Sequence, residues 1–321
     1  MYVVGGESLI DLISEPVGTD GTIRLVAHQG GSPYNCAIAL AKLGQDTGFL
    51  CPISADGLGT YLLQPLHEAG VRPLLPDRVG AYTSLAVVTF DDKKSASYGF
   101  YRQADRAFSR DTLLAALPER LELFQIGGFC PIEPEDAVAW LEVARVAADR
   151  GAVLSMDPNV RPSLVPDFAG YRQRLAAFLD LVHLVKVSIE DLEALWPDVG
   201  SRDELVANFV AEMFARPNCE LVVVTFGEEG SRAHSRSAEA RQPVFPAVPF
   251  GDTVGAGDTL MAAILTYLGE RNAFSPDGLR ALDAAELAGM LRFGAVAAGL
   301  NCRRLGCQPP TRAELDAALA G

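Results

Sequence analysis

Gly251-Asp252-Thr253-Val254-Gly255-Ala256-Gly257-Asp258-Thr259 sets small residues between two aspartates, and the apolar run Leu260-Met261-Ala262-Ala263-Ile264-Leu265 follows at once. The pattern reads as a glycine-rich turn opening into a helix, predicted over 254–268. The first backbone N–H groups of a helix have no partner within it. They stand at the positive end of the helix dipole, so such a turn suits an anion. A carboxylate at Asp258 would repel a phosphate. It has a purpose if it takes a proton from a hydroxyl while the amides balance charge on a phosphoryl group in transfer. A capped helix start with an acid in its first turn explains the same residues, so the motif alone leaves both readings open.

Outward from this turn, short β-rich runs alternate with helical patterns. Strands are predicted at 2–5, 47–53, 123–126, 153–156, 181–187 and 221–225, and helices at 35–43, 58–69, 134–150, 205–215 and 286–300. This alternation predicts an α/β fold: a mostly parallel sheet with helices on both faces, whose ligands collect at the carboxyl ends of the strands. Two stretches, 9–29 and 82–102, are β-rich with turns at 18–21 and 91–94 and no helix between strands. Together they predict a small antiparallel sheet beside the large one. Hairpins alone are marginal in water, so bound substrate and a second subunit are the expected covers. The chain, 1–321, reads as one domain with this small sheet inserted; no repeat, low-complexity tract or flexible linker interrupts it.

The net charge of −14 argues against nucleic acid and anionic membrane surfaces as partners. Lysine occurs only at Lys42, Lys93, Lys94 and Lys186, so any phosphate site must be built locally from arginine and backbone amides. Cys36, Cys51, Cys130, Cys219, Cys302 and Cys307 form no CxxC pair, which argues against zinc and a disulfide framework and fits a reducing cytoplasm. The four histidines never fall at metal-ligand spacing, and His183, inside an apolar run, reads as structural. The start, Tyr2-Val3-Val4-Gly5-Gly6-Glu7, lacks a basic leader, and no apolar run is long enough to span a bilayer.

Four further motifs carry polar residues at the ends of predicted strands or the starts of helices. Gly30-Gly31-Ser32-Pro33-Tyr34-Asn35 permits close backbone approach and offers the Asn35 amide to a polyol, or is a glycine turn capping a helix. Asp157-Pro158-Asn159-Val160-Arg161 could bind a sugar or phosphate, or form an Asx-Pro turn. Lys186-Val187-Ser188-Ile189-Glu190-Asp191 could hold Mg²⁺ through water, and equally reads as Ser188 and Asp191 capping a helix. Val223-Val224-Thr225-Phe226-Gly227-Glu228-Glu229-Gly230 could carry a nucleotide or be a hairpin loop.

In this order and at these separations, the motifs resemble the ribokinase-like, or phosphofructokinase-B type, sugar kinases. The resemblance runs from the start through Asn301-Cys302-Arg303-Arg304 and is most specific at 30–35 and 252–258. It implies a Rossmann-like α/β sandwich with a β-sheet lid formed by 9–29 and 82–102. It implies transfer from ATP with Mg²⁺ to a primary hydroxyl of a small sugar. Asp258 matches the catalytic base, and Gly255, Ala256 and Gly257 match the anion hole. Asp11, Gly30, Gly31 and Asn35 match the sugar contacts, joined by Arg102 and Arg161. Lys186, Ser188, Thr225, Gly227 and Gly230 match the ATP side, with Asn301 flanking the adenine. Asp191, where glutamate is usual, matches the residue that places Mg²⁺ through water. Asp252 and Val254 match the loop that holds a monovalent cation, K⁺, in many members. The apolar Leu85, Val87 and Phe90 of the small sheet would be poorly covered, so a cytoplasmic homodimer paired through its lids is the expected assembly.

Glu7-Ser8-Leu9-Ile10-Asp11, Asp157–Arg161 and Phe100-Tyr101-Arg102 with Ala104-Asp105-Arg106 look most like fructokinases, so D-fructose is the first expected substrate. 2-Keto-3-deoxygluconate comes second, then ribose and nucleosides. Other classes fit less well. No glycine–lysine pair exists for a P-loop, and no G-x-G-x-x-G opens the first βα turn for a dinucleotide. A catalytically silent sugar sensor on the same fold should have lost the base, yet Asp258 is present.

Overall fold

The first strand, β1 (Tyr2–Gly5), is short and apolar and becomes an interior strand of the large sheet. The computed structural model describes residues 1–16, 21–90 and 96–321. In chain order, β2 (Leu9–Ser14), β3 (Leu25–Gly30), α1 (Ser32–Lys42), β4 (Thr47–Leu50), α2 (Gly57–Ala69), β5 (Arg72–Pro73), β6 (Leu85–Phe90) and β7 (Ala96–Tyr101) follow. The middle of the chain gives α3 (Arg110–Ala116), β8 (Leu123–Gly127), α4 (Pro134–Asp149), β9 (Val153–Asp157), α5 (Phe168–Leu179), β10 (Leu184–Ser188), α6 (Ile189–Leu195) and α7 (Arg202–Ala215). The last third gives β11 (Leu221–Thr225), β12 (Ser231–Ser235), β13 (Glu239–Gln242), α8 (Ala256–Glu270), α9 (Pro276–Arg280), α10 (Ala284–Asn301) and α11 (Arg312–Ala320).

Among the described residues these strands form two sheets. The large one runs β13-β12-β11-β10-β9-β8-β1-β4-β5 and is parallel from β5 to β11, with β12 and β13 added antiparallel. Its central strands are buried on both faces, as parallel strands under helices must be. One core lies against α4, α5, α6 and α7, the other against α1, α2, α8 and α10. Among the described residues no helix is long and apolar enough to cross a membrane.

The small sheet has the order β3-β2-β6-β7, drawn from the two β-rich stretches. The expected antiparallel sheet is corrected at its centre: β2 and β6 pair parallel, Asp11 opposite Ala86, and only the outer pairs are antiparallel. The chain crosses from one hairpin to the other by way of the large sheet, so the two middle strands run the same way. The expected turns at 18–21 and 91–94 lie largely outside the described residues.

Several predicted ends move. α1 starts at Ser32 and not 35, because Pro33 is tolerated in a first turn. β4 stops at Leu50, before Pro52, which has no N–H for a ladder. β10 begins at Leu184; Leu181 closes a turn on Phe178 O and is apolar because it packs on the core. The 227–230 segment is a hairpin loop between β11 and β12, the simpler of its two readings.

Candidate active site

Two helices that meet at the mouth of the large sheet start without a side-chain cap. α1 follows Gly31 at φ 110° and α8 follows Gly255 at φ 73°, conformations that favour glycine. A Cβ on Gly255 would also lie 2.2 Å from Cys307 Sγ. By contrast Asp56, Ser188, Ser201 and Asp283 cap α2, α6, α7 and α10 with their side chains. The first-turn amides of α8 therefore keep their donors for another group. One is already taken: Ala256 N–H donates to Thr253 O at 3.1 Å. Gly257 and Asp258 remain as the first-turn donors.

Asp258 sits on the first turn of α8 and turns its carboxylate toward α1. Ser32 Oγ donates to its Oδ1 at 2.6 Å and Asn35 Nδ2 to its Oδ2 at 2.8 Å. Burial raises the Asp258 pKa, while Ser32, Asn35, Lys186 and Arg161 pull it back. Beside it, Lys186 Nζ bonds Asp157 Oδ2 at 2.7 Å, with both side chains buried. Burial works against the Lys186 charge, but Asp157 and Asp191 outweigh it and hold its pKa above the usual value. Burial pushes Asp157 up to about 6 despite Lys186. A Cβ on Gly257 would lie 3.1 Å from Lys186 Nζ, so this ammonium stands against the turn that opens α8.

Two cavities meet at that turn. A cleft of about 890 Å³ is lined by Asp11, Gly31, Asn35, Asp157, Arg161, Lys186 and Asp258, and roofed by Ala86, Val88 and Phe100 of the small sheet. A second cavity of about 480 Å³ is lined by Thr225, Gly227 and Gly230 on one side and by Phe245, Phe250, Ala298 and Gly299 on the other. Thr253 and Gly257 line both. The residues expected on the sugar side and those expected on the nucleotide side thus flank the turn from opposite directions.

Not every expected residue reaches these spaces. Gly30 lies behind the cleft, where a Cβ would strike Asp11 Oδ2 at 2.2 Å; its lack of a side chain lets Asp11 pass. Arg102 is turned away: it pairs with Asp105 at 2.7 Å and stacks over Phe129. Arg106 likewise pairs with Asp136 at 2.7 Å. Lys186 lines the sugar-side cleft and not the nucleotide side. Ser188 caps α6. Asp191 is buried, accepting from Val160 N at 2.7 Å and Ser188 N at 2.8 Å, so both oxygens already serve backbone amides. Asn301 is fully buried, bracing the loop through Val254 O and Gln308 N at 2.8 Å each. Asp252 accepts from Val254 N and Gly306 N.

Glu7 and Ser32 went unassigned in the sequence reading. Glu7 lies in the loop between β1 and β2 and accepts from Ser32 N at 3.2 Å and Phe129 N at 2.9 Å. An acid in an apolar strand-end context is the signal that could have found it. Ser32 has no local signal, since its partner Asp258 is 226 residues away.

Residues 1–314 match the pfkB family of carbohydrate kinases. Fructokinase-1 of Zea mays is 30% identical, over 98% of this chain and 96% of its own length. The structure of a fructokinase with bound ATP from Xylella fastidiosa superposes with a TM-score of 0.86 at 28% identity, covering 99% of this chain and 98% of that one. A ribokinase from Giardia lamblia, 23% identical with a TM-score of 0.81 over 99% and 98% of the two chains, shares the fold. The family match runs from the first strand into α11, so the chain belongs to the pfkB family of carbohydrate kinases and is a sugar kinase.

Proposed function

We propose that the protein transfers the γ-phosphoryl group of Mg·ATP to a primary hydroxyl of D-fructose. The observation that carries this reading is the junction: Thr253 and Gly257 line both cavities, and Asp258 faces the larger one. The sugar lies in the cleft under the small sheet, which serves as its lid, with Asp11 and Arg161 toward its hydroxyls. The nucleotide lies in the smaller cavity, its base between the apolar walls and its phosphates toward Gly257. Asp258 takes the proton of the acceptor hydroxyl. That oxygen forms its bond to the γ-phosphorus as the bond to the β,γ-bridging oxygen breaks, leaving ADP. The first-turn amides and Lys186 balance the charge on the phosphoryl oxygens.

Among the described residues Asp157 Oδ1 is buried without a partner, which suits a water of a hydrated Mg²⁺; the Asp191 carboxylate, already engaged, suits it less. When bound, Mg²⁺ supplies charge neutralisation on the phosphates. The loop of Asp252 and Val254, braced by Asn301 and Gly306, is the proposed seat of K⁺. Six free cysteines fit a reducing cytoplasm.

The test is Asp258→Asn assayed with D-fructose and Mg·ATP. Turnover should fall ~10²–10⁴-fold with ATP binding retained. Turnover within tenfold of wild type would remove Asp258 as the base. Absence of turnover by the wild-type protein on any sugar, with sugar binding retained, would favour a sensor.

A further inference from the structure

We propose that Ser32 is a positioning residue for the Asp258 base: its hydroxyl holds one carboxylate oxygen so that the group stays ionised and aimed at the acceptor. The inference rests on the reading of Asp258 as the base. Ser32 and Asn35 lie three apart on the first turn of α1, hence on one face of it. They grip the two oxygens of the same carboxylate, Ser32 at 2.6 Å and Asn35 at 2.8 Å. Two donors on two oxygens fix the carboxylate plane about its last torsion and leave its other lone pairs for the cleft. The Ser32 bond has the length of a charge-assisted O–H···O⁻ contact.

Ser32 is itself held from behind, its N–H on Glu7 Oε1 at 3.2 Å, so the hydroxyl stands on a fixed backbone. A donor to the ionised form opposes the rise that burial imposes on Asp258. The other groups facing Asp258 are Lys186 from β10, Asp157 from β9, Arg161 from the loop after it, Asp11 from β2, Cys36 from α1 and Cys307 from the C-terminal loop. None of them is hydrogen-bonded to the Ser32 hydroxyl among the described residues, so a shift seen in Ser32→Ala and absent from Ser32→Thr reports the hydroxyl.

The experiment is a titration of the Asp258 carboxyl by ¹³C NMR in protein labelled at aspartate, the signal assigned by its loss in Asp258→Asn. It is paired with the pH profile of kcat/KM for the fastest acceptor sugar. Ser32→Ala should raise the Asp258 pKa, and with it the acid limb of the profile, by about one pH unit or more, roughly tenfold in the equilibrium. Ser32→Thr, which keeps the hydroxyl, should leave both at the wild-type position. An unmoved pKa in Ser32→Ala, or the same rise in Ser32→Thr, would overturn the proposal. The two readings fail separately. If Asp258→Asn is active, the base itself is lost and the inference with it. If Asp258→Asn is inactive and the Ser32→Ala titration does not move, only the role of Ser32 falls.

Discussion

Glu7 shows how a buried acid can serve a site without entering its chemistry. It is 3% exposed and ties the first turn of α1 to the turn after β8. Burial pushes its carboxyl up to about 7, against the Phe129 amide and Arg102. The sign follows: a folded pKa above the unfolded value makes a contribution to stability that is full below the ordinary carboxylate range. That contribution is lost as pH rises through about 7. Asp11 and Asp157, each pushed up to about 6 mainly by burial, act in the same direction. These three groups each lower the unfolding free energy, measured by urea denaturation at pH 5, 6.5 and 8, as pH rises, while His183 and His234, whose pKa values burial lowers, act the other way below the ordinary imidazole range. Glu7→Gln should flatten the slope between pH 5 and 8, an effect on the order of a few kcal/mol at most. A variant with the wild-type slope would assign the dependence to the other raised carboxyls, Asp11, Asp136, Asp157 and Asp258. At this scale the sequence was readable where a motif is contiguous, as in Gly255–Asp258. It was silent where two distant residues meet, as Ser32 and Asp258 do, and it could not show that Arg102 and Arg106 are tied to Asp105 and Asp136.

The small sheet presents two faces, by the alternation of side chains along a strand. Asp11, Ile13, His28, Ala86, Val88 and Phe100 face the cleft. Leu12, Leu25, Ala27, Leu85, Val87 and Tyr101 fall on the opposite face by register. There Leu25 is 45% and Tyr101 61% exposed, an apolar surface of the kind that soluble proteins cover with a partner. A second copy pairing its own lid there would cover both. We expect a dimer by sedimentation equilibrium at micromolar concentration. Val87→Lys should give a monomer, since it alters only the outer face. A wild-type monomer would count against the pairing while leaving the cleft face as it is. Elements were legible where periodicity had one cause. The helix at 58–69 and the strand at 221–225 stand close to where they were expected. The parallel pairing of β2 with β6 was hidden, because alternation along a strand says which face is apolar and nothing about the direction of its neighbour.

For the whole molecule, the order of strands and helices announced a parallel sheet, and the two glycine turns both line the larger cavity, the second of them the smaller one as well. What the order could not give is the balance of charge in the cleft, on which the choice of the proposed sugar turns. Three arginines of the quoted motifs, Arg102, Arg106 and Arg161, are the candidates to meet a sugar carboxylate or a phosphate. The fold removes two of them from the question, pairing Arg102 with Asp105 and Arg106 with Asp136. Arg161 alone lines the cleft, and its guanidinium also donates to Val160 O at 3.1 Å. Around it stand Glu7, Asp11, Asp157 and Asp258, with Lys186 already on Asp157. An acid sugar would bring a further negative charge among these carboxylates, whereas neutral hydroxyls can donate to Asp11 and Asp258. A buried acceptor left without a hydroxyl also discriminates strongly against substrates that lack one. We therefore expect kcat/KM for D-fructose to exceed that for 2-keto-3-deoxygluconate at equal Mg·ATP. The margin should be tenfold or more, about 1.4 kcal/mol of transition-state binding. Arg161→Gln should widen the margin only if the guanidinium faces the acid sugar's carboxylate in a bidentate contact. A ratio below one would make the keto-deoxy acid the substrate and assign Arg161 to its carboxylate, with the phosphoryl transfer at Asp258 unchanged.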